Sequence, residues 1–198
     1  PRFDDEPINR VRSQILAGLR RASQDPGTVA SLTLARELFP KHPYGRPIEG
    51  TPESVKAITG TDLKAFVHER LARDNLVIGV VGDMGPDELG RRLDRVFLDL
   101  PASSKASNVK DAQPQTSGRT MVVEMAVPQS AIVFAQKGLK RDDPDFYKAY
   151  VLNHILGGGG FTSRLYGEIR EKRGLAYSIG SYLYPTRHVG LLRGYGGT

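Results

Sequence analysis

Residues 156–177 read LGGGGFTSRLYGEIREKRGLAY: four consecutive glycines, then a charged run that ends at a tyrosine. A phosphate cradle needs its glycines directly after a strand and opening a helix, so that backbone N–H groups and the helix dipole converge on the anion. Here the glycines follow DPDFYKAYVLNHIL, a helical pattern with a cap at Asp142 or Asp143 and Phe146, Tyr150, Val151 and Ile155 close to one face. Neither G-x-x-x-x-G-K-[ST] nor G-x-G-x-x-G is present. The glycines therefore read as a joint between two helices, where absent side chains permit sharp turning and close backbone approach. FTSRLYGEIREKRG is the second helix, with Gly174 as its left-handed C-terminal cap, and AYSIGSYLYP is a strand. A tight reversal at Gly174 aims Arg170, near the helix end, and Tyr177, at the strand start, toward one spot. A guanidinium fork and a phenolic hydroxyl are donors suited to a carbonyl oxygen or a developing oxyanion. Taken singly, each residue also fits a plainer role, the arginine on a solvated helix and the tyrosine packed in the sheet.

Working outward, GLLRGYG after the strand reads as its closing partner, and RTMVVEMA and SAIVFAQKG before the helices read as two more strands around a VPQ turn. Upstream of these, DLPASSKASNVKDAQPQTSG (99–118) has no periodicity and reads as an interdomain linker. The first part is mostly helical. Ile8, Val11, Ile15 and Leu19 line one stripe from Pro7 to about Ser23, the DPG at Asp25 stops it, and VASLTLARELF is a second helix. HPYGRP forces a rigid turn that His42 serves, TPES starts a helix at Thr51, and TDLKAFVHERLA starts another at Thr61. NLVIGVVGD reads as a buried strand and PDELGRRLDRVFLDL as an amphipathic helix. The chain is thus α+β: 1–98 as one part, 99–118 as linker, 119–198 as another. Its last residues stop within sheet-like sequence, so the expectation is a piece of a longer protein.

Composition narrows the chemistry. The formal charge is +6 with a pI near 9.6. Yet its cations are interleaved with acids, as in KRDDPD and GEIREKRG, rather than gathered into the single-sign patch that nucleic acid requires. No apolar run is long enough to span a bilayer, and the first residues lack the order of a signal peptide. With no cysteine there is no disulfide, thiolate ligand or thiol nucleophile, and there is no G-x-S-x-G elbow. His42, His68, His154 and His188 are scattered, and no two stand four apart on one helix, so no zinc signature and no cofactor site is legible.

On these residues the chain resembles the pitrilysin/insulinase-type zinc metallopeptidases, the family of the mitochondrial processing peptidase and its bacterial relatives. The resemblance runs through Arg10 to Pro26, LFPKHPYGRPIEGTPESVKAITGTDLKAF, NLVIGVVGDM and LGGGGFTSRLYGEIREKRGLAYSI. It implies a clam-shell of paired homologous α+β domains, in which one carries H-x-x-E-H plus a distant glutamate and the next supplies an arginine and a tyrosine seven residues apart. Those two are Arg170 and Tyr177 here. H-x-x-E-H is missing, and Gly18 stands where the glutamate is expected, two residues after Ile15-Leu16. The resemblance is therefore closest to non-catalytic companion subunits. It makes 1–98 the rear part of a first peptidase-like domain and 119–198 the front part of a second, both incomplete, so that unpaired sheet edges are expected to favour self-association. It implies that Arg170 and Tyr177 bind peptide substrate, that zinc sits in a homologous partner forming a heterodimer or in an upstream segment, and that this chain alone is inactive. Two alternatives stay open: a purely structural or assembly subunit, and part of an active zinc peptidase whose H-x-x-E-H lies upstream. A periplasmic or secreted location is the expectation, with the cytoplasm left open.

Overall fold

The computed structural model describes residues 2–105 and 107–198. Pro1, in the expected first part, and Ala106, in the expected linker, lie outside the described residues. The chain forms two compact units: Pro1–Gln14 with Pro52–Asn108, and Ile15–Thr51 with Val109–Thr198.

The second unit is built on a three-stranded antiparallel sheet of β1 (Ala131–Lys137), β2 (Ser178–Pro185) and β3 (Gly190–Gly197), in the order β1-β3-β2. Gly197 of β3 faces Ala131 on one side and Ser178 on the other. Helix α2 (Pro26–Leu38) packs on β1, placing Leu38 and Phe39 with Ala112, Val189 and Leu191 in the main core. Burying each of the larger side chains contributes about 1.5–3 kcal/mol. Asp25, expected only to stop the first helix, caps α2 by accepting the Thr28 N–H at 2.7 Å, and Pro26 opens the helix without an N–H to waste. Within the 99–118 stretch, Ala112 enters this core, tied by its N–H to the His188 carbonyl at 2.9 Å.

Helix α6 (Phe146–Asn153) runs on into a π-helical turn, His154–Gly158, which packs against β2. Its N-cap position is Asp145, with Asp143 accepting the Asp145 N–H at 2.9 Å. A 3₁₀ turn, Gly160–Thr162, leads to a second helical segment whose end, Tyr166–Glu171, is again π-helical. That segment stops as expected: Gly174 has φ 62°, and its N–H reaches the Arg170 carbonyl while Leu175 reaches Ile169, both at 3.0 Å.

The first unit holds the beginning of α1 (Asp5–Ala22), with α3 (Pro52–Ala57), α4 (Gly60–Arg70) and α5 (Pro86–Phe97). Helix α4 begins earlier than Thr61. Thr59 and Asp62 form a capping box, each side chain taking the other's backbone N–H, at 3.2 and 2.7 Å. Arg12 on α1 donates to the Ile58 carbonyl at 2.6 Å.

Two expected strands do not form. NLVIGVVGD and RTMVVEMA form no ladder, with Val77 and Val81 fully exposed. A strand exists only where a neighbour takes its N–H and C=O groups, and none lies along these segments among the described residues. Their apolar pattern is a preference for burial, and a preference without a pairing partner does not make a ladder.

Candidate functional site

The glycine-rich joint is shaped by a buried polar pair beneath it. Asn153, at the end of α6, and Ser181, in β2, are both buried; the Ser181 hydroxyl donates to Asn153 Oδ1 at 2.8 Å, and Asn153 Nδ2 donates to the Ser181 carbonyl at 3.2 Å. The backbone of Gly157 lies against this pair: a Cβ there would stand 2.7 Å from both the Ser181 nitrogen and Leu165 Cδ1. A Cβ on Gly158 would meet Asn153 Nδ2 at 2.7 Å, and Gly160 turns the chain at φ +59°. Close approach and one left-handed turn, rather than looseness, account for the run. No helix of eight residues begins at these glycines, so they present no phosphate cradle.

Past the joint, the chain brings Arg170 and Tyr177 together. The Arg170 guanidinium lies 4.6 Å from the centre of the Tyr177 ring and 4.9 Å from that of Tyr166, against two aromatic rings. Tyr166 and Arg170 share one turn, and Tyr177 arrives after the Gly174 reversal, held by its N–H to the Gly197 carbonyl at 2.8 Å. Tyr166 is 9% exposed and Tyr177 74% exposed. Arg170 has no carboxylate partner among the described residues. The acid nearest it toward the helix start, Glu168, is taken instead by Lys172 at 2.6 Å, and that hydrogen bond holds the Glu168 carboxyl below the usual carboxylate range. The guanidinium N–H donors are therefore not taken up by a carboxylate among the described residues. Tyr177 also stands on the wall of a cleft of about 840 Å³ between the start of α2 and the ends of β1 and β3, beside Ser178, Thr28 and Gln129.

The histidines fall out differently from a scattered set. His42 and His188 lie with ring centres 6.5 Å apart, a proximity that spacing along the chain gives no sign of. His42 caps the HPYG turn, accepting the Tyr44 N–H on Nδ1 at 3.2 Å, so that Nε2 carries the hydrogen it donates to the Lys110 carbonyl at 3.0 Å. His188 Nδ1 stands 3.4 Å from Asp111, which is also bound by Lys140 at 2.5 Å. Those two hydrogen bonds hold the Asp111 carboxyl below its ordinary range, Lys140 contributing more. With both His42 nitrogens engaged, the cluster is a structural clasp. Among the described residues no group of three or more His, Cys, Asp or Glu side chains converges to hold a metal ion, so the residues present do not fit zinc. Among them, too, no helix is long and apolar enough to cross a membrane.

Residues 57–198 match the Peptidase M16 inactive domain, so the chain belongs to the M16 peptidase family. It is 29% identical over 196 residues to a Bacillus subtilis protein called an uncharacterized zinc protease, YmxG, covering 99% of this chain and 47% of that one. It is 32% identical over 180 residues to the Helicobacter pylori non-peptidase homolog YmxG, covering 90% of this chain and 41% of that one. The crystal structure of a peptidase M16 inactive domain from Pseudomonas fluorescens superposes with a TM-score of 0.89 at 35% identity, covering all of this chain and 48% of that one. The chain thus spans about half the length of these relatives.

Proposed function

We propose that this chain is part of a non-catalytic M16 subunit that holds peptide substrate and completes the chamber of a zinc-bearing homologous partner. Arg170 and Tyr177 donate hydrogen bonds to peptide carbonyl oxygens in that chamber. The observation that supports this reading is the convergence of a carboxylate-free arginine with an exposed tyrosine across the Gly174 turn. The same reading keeps 1–98 and 119–198 as portions of successive homologous domains, with 99–118 between them. It also keeps the periplasm or the cell exterior as the compartment, which fractionation of cells expressing the full-length protein checks.

The test is Tyr177→Phe in the full-length protein reconstituted with its zinc-bearing homologue. Loss of a single oxyanion donor lowers peptide turnover by about a hundredfold or more. Turnover equal to wild type rejects the role of Tyr177. A second reading, an assembly subunit with no part in peptide binding, draws on the exposed apolar strand-like segments around Val77 and Val122. Stable self-association without peptide binding favours it, whereas co-purification with an H-x-x-E-H homologue favours the first.

A further inference from the structure

We propose that Tyr166 is the positioning residue of this site: its ring is the fixed platform that holds the Arg170 guanidinium in place to meet a ligand. The inference rests on reading Arg170 and Tyr177 as peptide donors. An arginine side chain loses up to about 2 kcal/mol of rotamer freedom when it is ordered, so a preorganised donor needs something to hold it before the ligand arrives. A carboxylate commonly does this, and none does among the described residues. Two aromatic rings contact the guanidinium, and they are not equivalent.

Tyr166 is fixed on three sides. It is buried, its N–H reaches the Ser163 hydroxyl at 3.4 Å, and that buried serine is itself anchored on the Gly160 carbonyl at 2.8 Å. Phe161 packs against it edge-on, ring centres 5.0 Å apart and planes at 86°. Tyr177, whose ring also lies against the guanidinium, is mostly exposed. One ring is therefore the buried base and the other an exposed contact. Aromatic contact has a chemical consequence that a carboxylate clamp lacks. The rings engage the cation through its π-face attraction, while the five N–H donors lie in the guanidinium plane and remain unspent. A carboxylate would neutralise the charge and occupy those same donors. The segment FTSRLY after the glycines thus builds the platform on which the arginine stands.

The experiment uses the full-length protein with its homologous partner, selectively ¹⁵N-labelled at arginine, in Tyr166→Phe, Tyr166→Leu, Phe161→Ala and Arg170→Ala forms. The probe is a dye-labelled, end-blocked, unstructured peptide of mixed sequence, followed by fluorescence anisotropy. In wild type the Arg170 Nε–H proton resonates upfield, shielded by the two rings. Tyr166→Phe keeps that shift and the peptide affinity, because the platform needs the ring and not the hydroxyl. Tyr166→Leu loses most of the shift and binds peptide about two- to thirtyfold more weakly, the range of a cation–π contact. A folded Tyr166→Leu protein with unchanged shift and affinity overturns the proposal, as does a Tyr166→Phe protein as defective as Tyr166→Leu. If Tyr166→Leu does not fold, Phe161→Ala, altered at an exposed side chain, must move the Arg170 resonance toward its unshielded position, and an unmoved resonance overturns the proposal. Wild-type peptide affinity in Arg170→Ala rejects the donor reading itself. Impaired Arg170→Ala beside a folded, fully active Tyr166→Leu rejects only the platform.

Discussion

At the scale of single residues, glycines separate into those the structure requires and those it tolerates. Gly157 lies against the buried Ser181–Asn153 pair, and its Cβ would crowd backbone and a packed leucine alike. Gly157→Ala is expected to destabilise the folded chain by about 1–3 kcal/mol, the usual cost of overpacking, measured as a drop in the urea midpoint. Gly18, inside α1, has nothing within 4 Å of where its Cβ would stand. Gly18→Ala is expected to stabilise by about 0.5–1 kcal/mol, the helical preference for alanine over glycine. Asp111 gives a pH prediction. Its carboxyl is held below the usual range by Lys140 and His188, so the stability it contributes is present above its unfolded pKa and lost as pH falls below about 4 through the depressed folded value. Asp111→Asn is expected to flatten that acid limb of urea-unfolding stability. Arg170 and Tyr177 are legible mainly through the resemblance, which places an arginine seven residues before a tyrosine; the Gly174 turn between them is consistent with their meeting. Tyr166 is not legible, because nothing in SRLY distinguishes a ring beneath a guanidinium from ordinary core.

At the scale of elements, caps decided where helices begin more sharply than apolar periodicity did. The stripe in α1 and the Gly174 stop fall where periodicity and turn chemistry put them. Helix α4 starts earlier than the TDLK pattern predicts, because Thr59 and Asp62 satisfy each other's N–H groups reciprocally. Thr59→Ala is expected to cost about 0.5–2 kcal/mol, read as a lowered thermal midpoint, whereas Thr61→Ala, inside the first turn, leaves it nearly unchanged. Strands behaved differently. SAIVFAQKG, SIGSYLYP and GLLRGYG became β1, β2 and β3 because they found each other in antiparallel register. NLVIGVVGD and RTMVVEMA, equally apolar and branched, stayed unpaired. A helix closes its hydrogen bonds within its own segment, while a strand borrows them from elsewhere.

At the scale of the whole molecule, large apolar side chains such as Val77, Val81 and Val122 are exposed, and β1 and β2 each carry one unpaired edge among the described residues. This chain in isolation is therefore expected to self-associate as concentration rises, seen by light scattering behind a sizing column, and the full-length protein far less. A strictly monomeric chain at all concentrations rejects that expectation. The sequence by itself determined the α+β class and the helix stops through local spacing and turn chemistry, and the family through motifs that resemble those of its members, the same resemblance that singled out Arg170 and Tyr177. Only tertiary structure decided which apolar runs became strands, that His42 and His188 meet, why the glycines must be bare, and that Tyr166 lies beneath Arg170. Those depend on contacts between residues distant in the chain or on the side-chain geometry of one turn, and neither leaves a mark in composition or periodicity.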